Sequence, residues 1–159
     1  MTESLDTSSS VNVPLSDLEI KRAAQDRLHD ALHPGNKAAL FDALAAAGVT
    51  LVVVTFDGYG DSGQIENIEV KAGDTVIDMP TGETEIATAV WDQAEPDRSR
   101  ISINDAIEQL AYDFLSQTHC GWENNDGAYG DFTFDVAERT ITLDYNERYT
   151  ASDYTQHVF

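Results

Sequence analysis

The spacing of apolar and polar residues along the chain predicts an order of helices and strands. Residues 16–19, SDLE, fit a capping box, and apolar residues then recur along one helical face. The HPG sequence at 33–35 predicts the end of this helix, because proline cannot continue it and glycine permits a reversal. Asn36 is expected to cap a second helix over 37–47, which Gly48 closes.

The spacing then becomes typical of strands. Residues 49–56 are β-branched and continuously apolar, which predicts a buried central strand. Apolar positions alternate over 64–71, and 75–79 is expected to form a third short strand. Residues 85–91 fit a strand by their threonine and valine content and a helix by their alanines. Residues 95–99, EPDRS, predict a loop.

The third helix and the last two strands have the clearest patterns. Apolar residues from 103 to 114 follow the stripe of an amphipathic helix, which Ser102 or Asn104 can cap. Residues 132–136 and 141–145 alternate strictly and predict an antiparallel hairpin with one polar face. The expected fold is therefore α+β: a mainly antiparallel sheet with about three helices packed on one face.

The length of 159 residues predicts one domain over 14–149. Residues 1–13 read as a disordered, acidic, Ser/Thr-rich tail, and 150–159 as a C-terminal tail. No apolar run approaches the ~18 residues of a membrane span, and the N-terminus has no signal-peptide pattern. The single cysteine excludes an internal disulfide. We therefore expect a cytoplasmic protein without membrane contact.

Charge is the strongest compositional signal. The chain has 29 acidic and 9 basic residues, for a net charge of −20. Lys71 is the only cation between residues 38 and 97. Such a surface repels nucleic-acid phosphates and attracts basic protein surfaces, including the basic groove of a nucleic-acid enzyme. The alternative is that the acidity serves only solvation, which also suits a high-salt cytoplasm.

Two short segments, DGYGD at 57–61 and DGAYGD at 126–131, share glycines, a tyrosine and carboxylates. The first can be a simple hairpin turn, or its side chains can project to a partner. Trp122 beside the second can anchor an interface or pack on the third helix. The candidate partner-binding residues are Tyr59, Asp61, Glu66, Trp122, Glu123, Asp126 and Tyr129.

No pattern identifies a catalytic residue, a metal site or a cofactor. Position 12 counted from Asp57 is Ile68, whereas a calcium loop of the EF-hand type needs a glutamate there. A GDSG tetrapeptide at 60–63 has no recognisable histidine partner. His119 and Cys120 are adjacent in the chain, and neighbouring side chains rarely point at one another, which disfavours a catalytic pair there.

Three stretches carry a resemblance to a known family: GDSGQIE at 60–66, GWENNDGAYGDFTFDV at 121–136 and TITLDYNE at 140–147. In these stretches the chain resembles an uncharacterised family of small acidic bacterial proteins associated with plasmids, phage and mobile elements. The resemblance implies a bacterial cytoplasm and a mobile-element setting. The family has no assigned activity, so no catalytic residue is carried over.

The sequence leaves three hypotheses of function, and none of them fixes the oligomeric state. The first is a non-enzymatic protein that docks on a basic protein surface, as a nucleic-acid mimic that inhibits a host defence or nucleic-acid enzyme. The second is a small hydrolase or metal-dependent enzyme with its site between loops 57–66 and 122–131. The third is a structural or regulatory subunit whose acidity is only solvation.

Overall fold

The structure is a computed structural model that describes residues 16–60, 62–124 and 126–159. Its first helix, α1, spans Asp17–Ala46. The predicted capping box is confirmed: the Ser16 hydroxyl accepts a hydrogen bond from the Glu19 N–H at 3.1 Å, and the Glu19 carboxylate accepts one from the Ser16 N–H at 3.3 Å. The tail predicted over 1–13 lies outside the described residues.

Pro34 does not end the first helix, so the prediction of about three helices is wrong: two are present in the described chain. α1 continues through the proline into the segment that Asn36 was expected to cap. Proline removes one helical hydrogen bond without forcing a reversal. Burial outweighs that loss, because Leu40, Phe41 and Leu44 beyond the proline are fully buried. The α+β class itself fits.

Seven strands and one further helix follow α1 in the described residues. In chain order they are β1 (Leu51–Tyr59), β2 (Ser62–Ala72), β3 (Thr75–Ile77), β4 (Glu83–Thr88), β5 (Asp97–Ser102), helix α2 (Ile103–Thr118), β6 (Ala128–Asp135) and β7 (Thr140–Glu147). Five strands form the main sheet in the order β3-β2-β1-β6-β7, with antiparallel pairing throughout. β4 and β5 form a separate two-stranded sheet.

Most of the predicted strands are present, with shifted ends. β6 and β7 confirm the hairpin expected over 132–136 and 141–145. The ambiguous segment 85–91 is a strand as far as Thr88, and the loop expected over 95–99 is wrong in part because β5 begins at Asp97. The two Gly/Tyr/Asp segments, expected as loops, lie partly within β1 and β6. Residues 148–159 form no helix or strand.

The main sheet has one face in the core. Alternate residues of β1 and β6, such as Val54, Phe56 and Phe132, are buried and form one cluster with apolar residues of α2 and of the C-terminal half of α1. Ser102 caps the N-terminus of α2: its hydroxyl accepts a hydrogen bond from the Asp105 N–H at 3.0 Å. We call this side of the sheet the inner face.

The opposite side of the main sheet, the open face, carries the intervening residues, which are half-buried or exposed. The register places on it the apolar residues Leu51, Val53 and Val76, and also Thr55, Asp57, Gln64, Asn67, Glu69, Lys71, Tyr129, Asp131, Thr133, Asp135, Thr140, Thr142, Asp144 and Asn146. These side chains are mostly polar. The two faces therefore differ sharply, as expected of an antiparallel sheet with one wet side.

The chain divides into two compact units, and the division within α1 falls between Gly35 and Asn36. The smaller unit joins the residues up to Gly35 with Ala87–Ser99. In it, the Lys21 ammonium pairs with the Asp92 carboxylate at 3.2 Å, beside a cleft of about 350 Å³. The larger unit comprises Asn36–Ile86 and Arg100–Phe159, and it contains the main sheet and its core.

Candidate functional site

The two Gly/Tyr/Asp segments lie side by side at one end of the main sheet, which we call the rim. In the pairing of β1 with β6, Gly58 is opposite Ala128 and Asp57 is opposite Tyr129. The turn between β1 and β2 is at this same end. Asp61, a candidate partner-binding residue, lies outside the described residues. The other candidates therefore come from two segments that the sheet brings together.

The structure buries the indole of Trp122, a residue predicted to contact a partner. Its side chain is 8% exposed and meets Phe56 edge-on, with 5.4 Å between ring centroids. The indole covers two glycines that face each other across β1 and β2. A Cβ added to Gly58 would lie 2.6 Å from the indole, and one added to Gly63 would also overlap it. These glycines make room for Trp122, which supports the rim from inside.

The backbones of the two Gly/Tyr/Asp segments are in direct contact at Gly127. A Cβ added to Gly127 would overlap the carbonyl of Gly58 and lie 2.7 Å from the Cα of Tyr59. Gly127 also has a φ of +80°, a conformation that residues with a side chain rarely adopt. Glycine is therefore required here for packing and for backbone conformation.

Arg148 connects the two segments, and the sequence analysis missed it. Its guanidinium pairs with the Asp57 carboxylate at 2.8 Å and donates to the carbonyls of Gly58 and Ala128 at 3.2 and 3.4 Å. It also lies 4.6 Å from the centre of the Tyr129 ring, within the range of a cation–π contact. One planar donor thus serves both segments. The available signal was an isolated cation directly after the alternating residues of β7.

The remaining candidates stand nearer the surface. Tyr59 and Tyr129 are 70% and 45% exposed. Glu66 and Asp126 are exposed, and each carboxylate accepts a hydrogen bond from a neighbouring side chain, at 3.2 and 2.7 Å respectively. Glu123 is half-buried. Two aromatic rings and two carboxylates are thus accessible at the rim.

Carboxylates at the rim are divided between two clefts. One cleft of about 300 Å³ is lined by Asp57, Tyr59 and Glu66. The other, of about 310 Å³, is lined by Asp126 and Glu147 among others. The hydrolase hypothesis requires neighbouring loops and carboxylates that converge on one pocket. The loops are neighbours, but of these two clefts one is lined by carboxylates of the first loop and the other by Asp126 of the second.

The second cleft also contains a histidine stacked on a tyrosine. The rings of His119 and Tyr145 are nearly parallel, with 3.6 Å between centroids and 10° between planes. Burial, followed by the charges of Glu147 and Glu123, raises the pKa of the Tyr145 hydroxyl, so this group stays protonated at neutral pH. Cys120, which follows His119, is exposed. The imidazole of His119 therefore packs against the ring of Tyr145.

The open face carries carboxylates beyond those that were predicted to bind a partner. Asp131 and Asp144 are directly opposite each other on β6 and β7. Burial, the charge of Asp144 and a hydrogen bond with it raise the pKa of the Asp131 carboxyl. Both occupy polar positions of the alternating hairpin, which was the signal in the sequence. Asp57, Glu69 and Asp135 also lie on this face. Glu66 is the extra residue of a bulge in β2, opposite Thr55 and Phe56, and lies beside the face next to Asp57.

The cations of the open face are already paired. The Lys71 ammonium lies 3.9 Å from the Glu69 carboxylate, and Arg148 pairs with Asp57. Within the described ranges, no cation forms an ion pair with the other carboxylates on or beside this face, which are Glu66, Asp131, Asp135 and Asp144. The open face therefore has an uncompensated negative charge.

No helix in the described part of the chain is both long enough and apolar enough to cross a membrane. No curated protein and no solved structure matches the chain. A family model described as a family of unknown function, DUF6878, matches residues 32–159. The match includes the main sheet, α2 and every candidate residue at the rim. The chain therefore belongs to the DUF6878 family.

Proposed function

We propose that this protein binds a basic surface of another protein through the open face of its main sheet and catalyses no reaction. The charge balance of that face carries the proposal: its cations are paired, whereas the carboxylates of Glu66, Asp131, Asp135 and Asp144 form no ion pair with any cation that the structure describes. The net charge of −20 adds a long-range attraction that speeds encounter with a basic partner.

The rim supplies contacts that charge alone does not. Tyr59 and Tyr129 present exposed rings whose large rigid surfaces and hydroxyl groups suit a protein interface. Arg148 and Trp122 hold the two segments that carry these rings. In this proposal the carboxylates attract the partner, and the two tyrosines select it.

The proposal also includes a biological role and a cellular location. An acidic sheet face suits a mimic of nucleic acid that occupies the basic groove of a host defence or nucleic-acid enzyme. The resemblance to small acidic bacterial proteins of plasmids, phage and mobile elements supports this role, and with it a place in the bacterial cytoplasm. The same charge disfavours direct binding of DNA or RNA, and the role requires no cofactor.

A matched pair of variants tests the proposal with deca-lysine as the probe. The first variant neutralises the open face with Glu66→Gln, Asp131→Asn and Asp144→Asn. The second removes the same charge from exposed positions elsewhere in the larger unit, with Asp74→Asn, Asp78→Asn and Glu138→Gln. Fluorescence anisotropy of a labelled peptide measures the affinity in ~0.1 M and ~1 M NaCl, where the Debye lengths are about 10 and 3 Å.

We expect the open-face variant to bind about tenfold more weakly in ~0.1 M NaCl, since three contacts of about 0.5 kcal/mol sum to about 1.5 kcal/mol. The second variant should change the affinity less than about twofold, and binding should vanish in ~1 M NaCl. Equal weakening of both variants, or binding that persists in ~1 M NaCl, would contradict the proposal.

A further inference from the structure

We infer that an extended basic segment of the partner pairs with β7, an edge strand of the main sheet, and adds to the sheet as a sixth strand. We call β7 the docking edge; the inference rests on the proposed function. In the described chain, β7 ends the main sheet and pairs with β6 alone. It is 8 residues long. Alternate residues of an edge strand direct their backbone groups outward, so the edge offers about four N–H and C=O pairs to a new strand.

The two edges of the main sheet differ in how they are protected. The other edge consists of β3, which is 3 residues long and pairs only with Val70–Ala72, and of the rest of β2. There a bulge interrupts the strand, and the Ile65 N–H donates to the Tyr112 hydroxyl at 3.0 Å. Proteins protect longer edges with charged side chains, above all lysine, with proline or with bulges. β7, with the sequence TITLDYNE, has no lysine or proline, and its register with β6 is continuous from Thr140 to Glu147. Its charges are the carboxylates of Asp144 and Glu147, which repel an acidic strand but attract a basic one. It therefore remains suited to pairing.

The cations that flank β7 do not shield it, because each is engaged elsewhere. Arg139, just before the strand, pairs with Asp42 of α1. Arg148, just after it, pairs with Asp57. A basic segment that approaches β7 therefore meets no free cation along the strand itself.

The two sides of β7 specify the chemistry of the added strand. On the inner side, Ile141, Leu143 and Tyr145 are half-buried against the core, so an added strand would cover them with apolar residues. On the open side, Asp144 is exposed and has Asp131 opposite it, which favours lysine or arginine. A segment that alternates basic and apolar residues meets both requirements.

A second copy of this chain would fit the edge less well. Each copy has a net charge of −20, and a β7–β7 pair would bring two strongly acidic open faces together. β7 itself contains Asp144 and Glu147 and no basic residue. Charge complementarity therefore favours a basic partner over self-pairing.

Two peptides of identical composition test the inference with the whole protein. Lys-Val-Lys-Val-Lys-Val-Lys alternates the two residue types, whereas Lys-Lys-Val-Val-Val-Lys-Lys has the same charge without the alternation. Titration calorimetry compares their affinities, and amide hydrogen exchange by NMR locates the protected backbone. We expect the alternating peptide to bind at least about tenfold more tightly and to protect amides of β7. Asp144→Lys should weaken it more than Asp74→Lys.

Backbone methylation of the alternating peptide provides the control for strand pairing. Methyl groups on the valine nitrogens block one edge of the peptide, and methyl groups on the lysine nitrogens block the other. One methylated peptide should keep its affinity and the other should lose it. Equal retention by both would show that no backbone pairing occurs and would overturn the inference.

The remaining outcomes separate this inference from the proposed function. If both unmethylated peptides bind equally and lose affinity in salt, β7 is not the docking edge, and the acidic face still stands as a docking surface. If neither peptide binds at low salt, the proposed function fails as well. If the free protein is a dimer with β7 amides already protected, the edge belongs to a second copy and the inference is overturned.

Discussion

Substitution of Gly63 by alanine tests whether the hairpin glycines exist to accommodate Trp122. The added Cβ would overlap the indole, whose Cζ2 would be 2.9 Å away, and the backbone at Gly63 is not in the left-handed region. An alanine there would gain about 0.5–1 kcal/mol over glycine if space were free. The steric cost exceeds this gain, because the indole is buried and packed on Phe56. We expect a net loss of about 1–2 kcal/mol.

A double-mutant cycle isolates the steric contribution. Trp122→Leu removes the part of the ring that lies over Gly63, at a cost below the about 3–5 kcal/mol of a tryptophan-to-alanine change. In that background the Glu123 Cβ, 2.9 Å from the added Cβ, still crowds the site, so Gly63→Ala should cost under about 1 kcal/mol. The two changes should therefore couple by about 1 kcal/mol.

Urea unfolding followed by circular dichroism measures all four proteins, since one of the changes removes an indole. Gly35→Ala is the matched control: a Cβ there meets nothing within 4 Å, and we expect a gain of up to about 1 kcal/mol in the helix. If Gly63→Ala changes the stability by the same amount with and without Trp122, the glycines do not serve the indole and the reasoning is wrong.

Three further predictions concern single residues. Arg148→Met should lower the free energy of unfolding by about 1–3 kcal/mol in urea titrations, because Asp57 loses its ion pair and two carbonyls lose their donor. Arg100→Met should cost under about 1 kcal/mol because its pair with Glu83 is exposed, and equal losses would refute a special role for Arg148. Asp131→Asn should raise Tm at pH 7 by about 1–3 °C, because burial and the opposed Asp144 carboxylate disfavour an ionised Asp131. The pKa of Asp131 in the folded state lies above its ordinary value of 3.8, so the gain should shrink as pH falls through the folded-state pKa and be lost below 3.8, and Asp135→Asn should show no such gain in the same thermal scans. Ser102→Ala should cost about 1 kcal/mol by urea titration and Ser102→Asp much less, because aspartate also caps α2; similar losses would contradict the capping role.

The alternation of apolar and polar residues predicted the strands of the main sheet, because one face of the sheet is buried and the other is not. β2 shows where strict alternation fails. Ile65 and Ile68 both point inward, although they are three residues apart, because a bulge opposite Thr55 and Phe56 inserts one residue. The sequence shows the irregular spacing of these isoleucines but not which residue is the extra one. Pairing with β1 decides that.

Local signals failed where distant packing decided the outcome. Proline and glycine at 34–35 indicate a helix end, but the buried residues beyond them keep α1 continuous. The glycines at 58 and 127 indicate turns, yet they serve close contacts with Trp122 and with a neighbouring backbone. The role of Arg148 was not predicted, because its partners are far away in the chain: Asp57 lies 91 residues before it. Such contacts have no local pattern.

The two tryptophans are placed so that each reports on a different unit of the protein. Trp91 is 47% exposed and belongs to the smaller unit, whereas Trp122 is buried beneath the rim in the larger one. Their fluorescence should differ, with the buried indole emitting at shorter wavelength. Trp91→Phe would leave emission from the rim alone. Binding near Tyr59 and Tyr129 would then be visible without any attached dye.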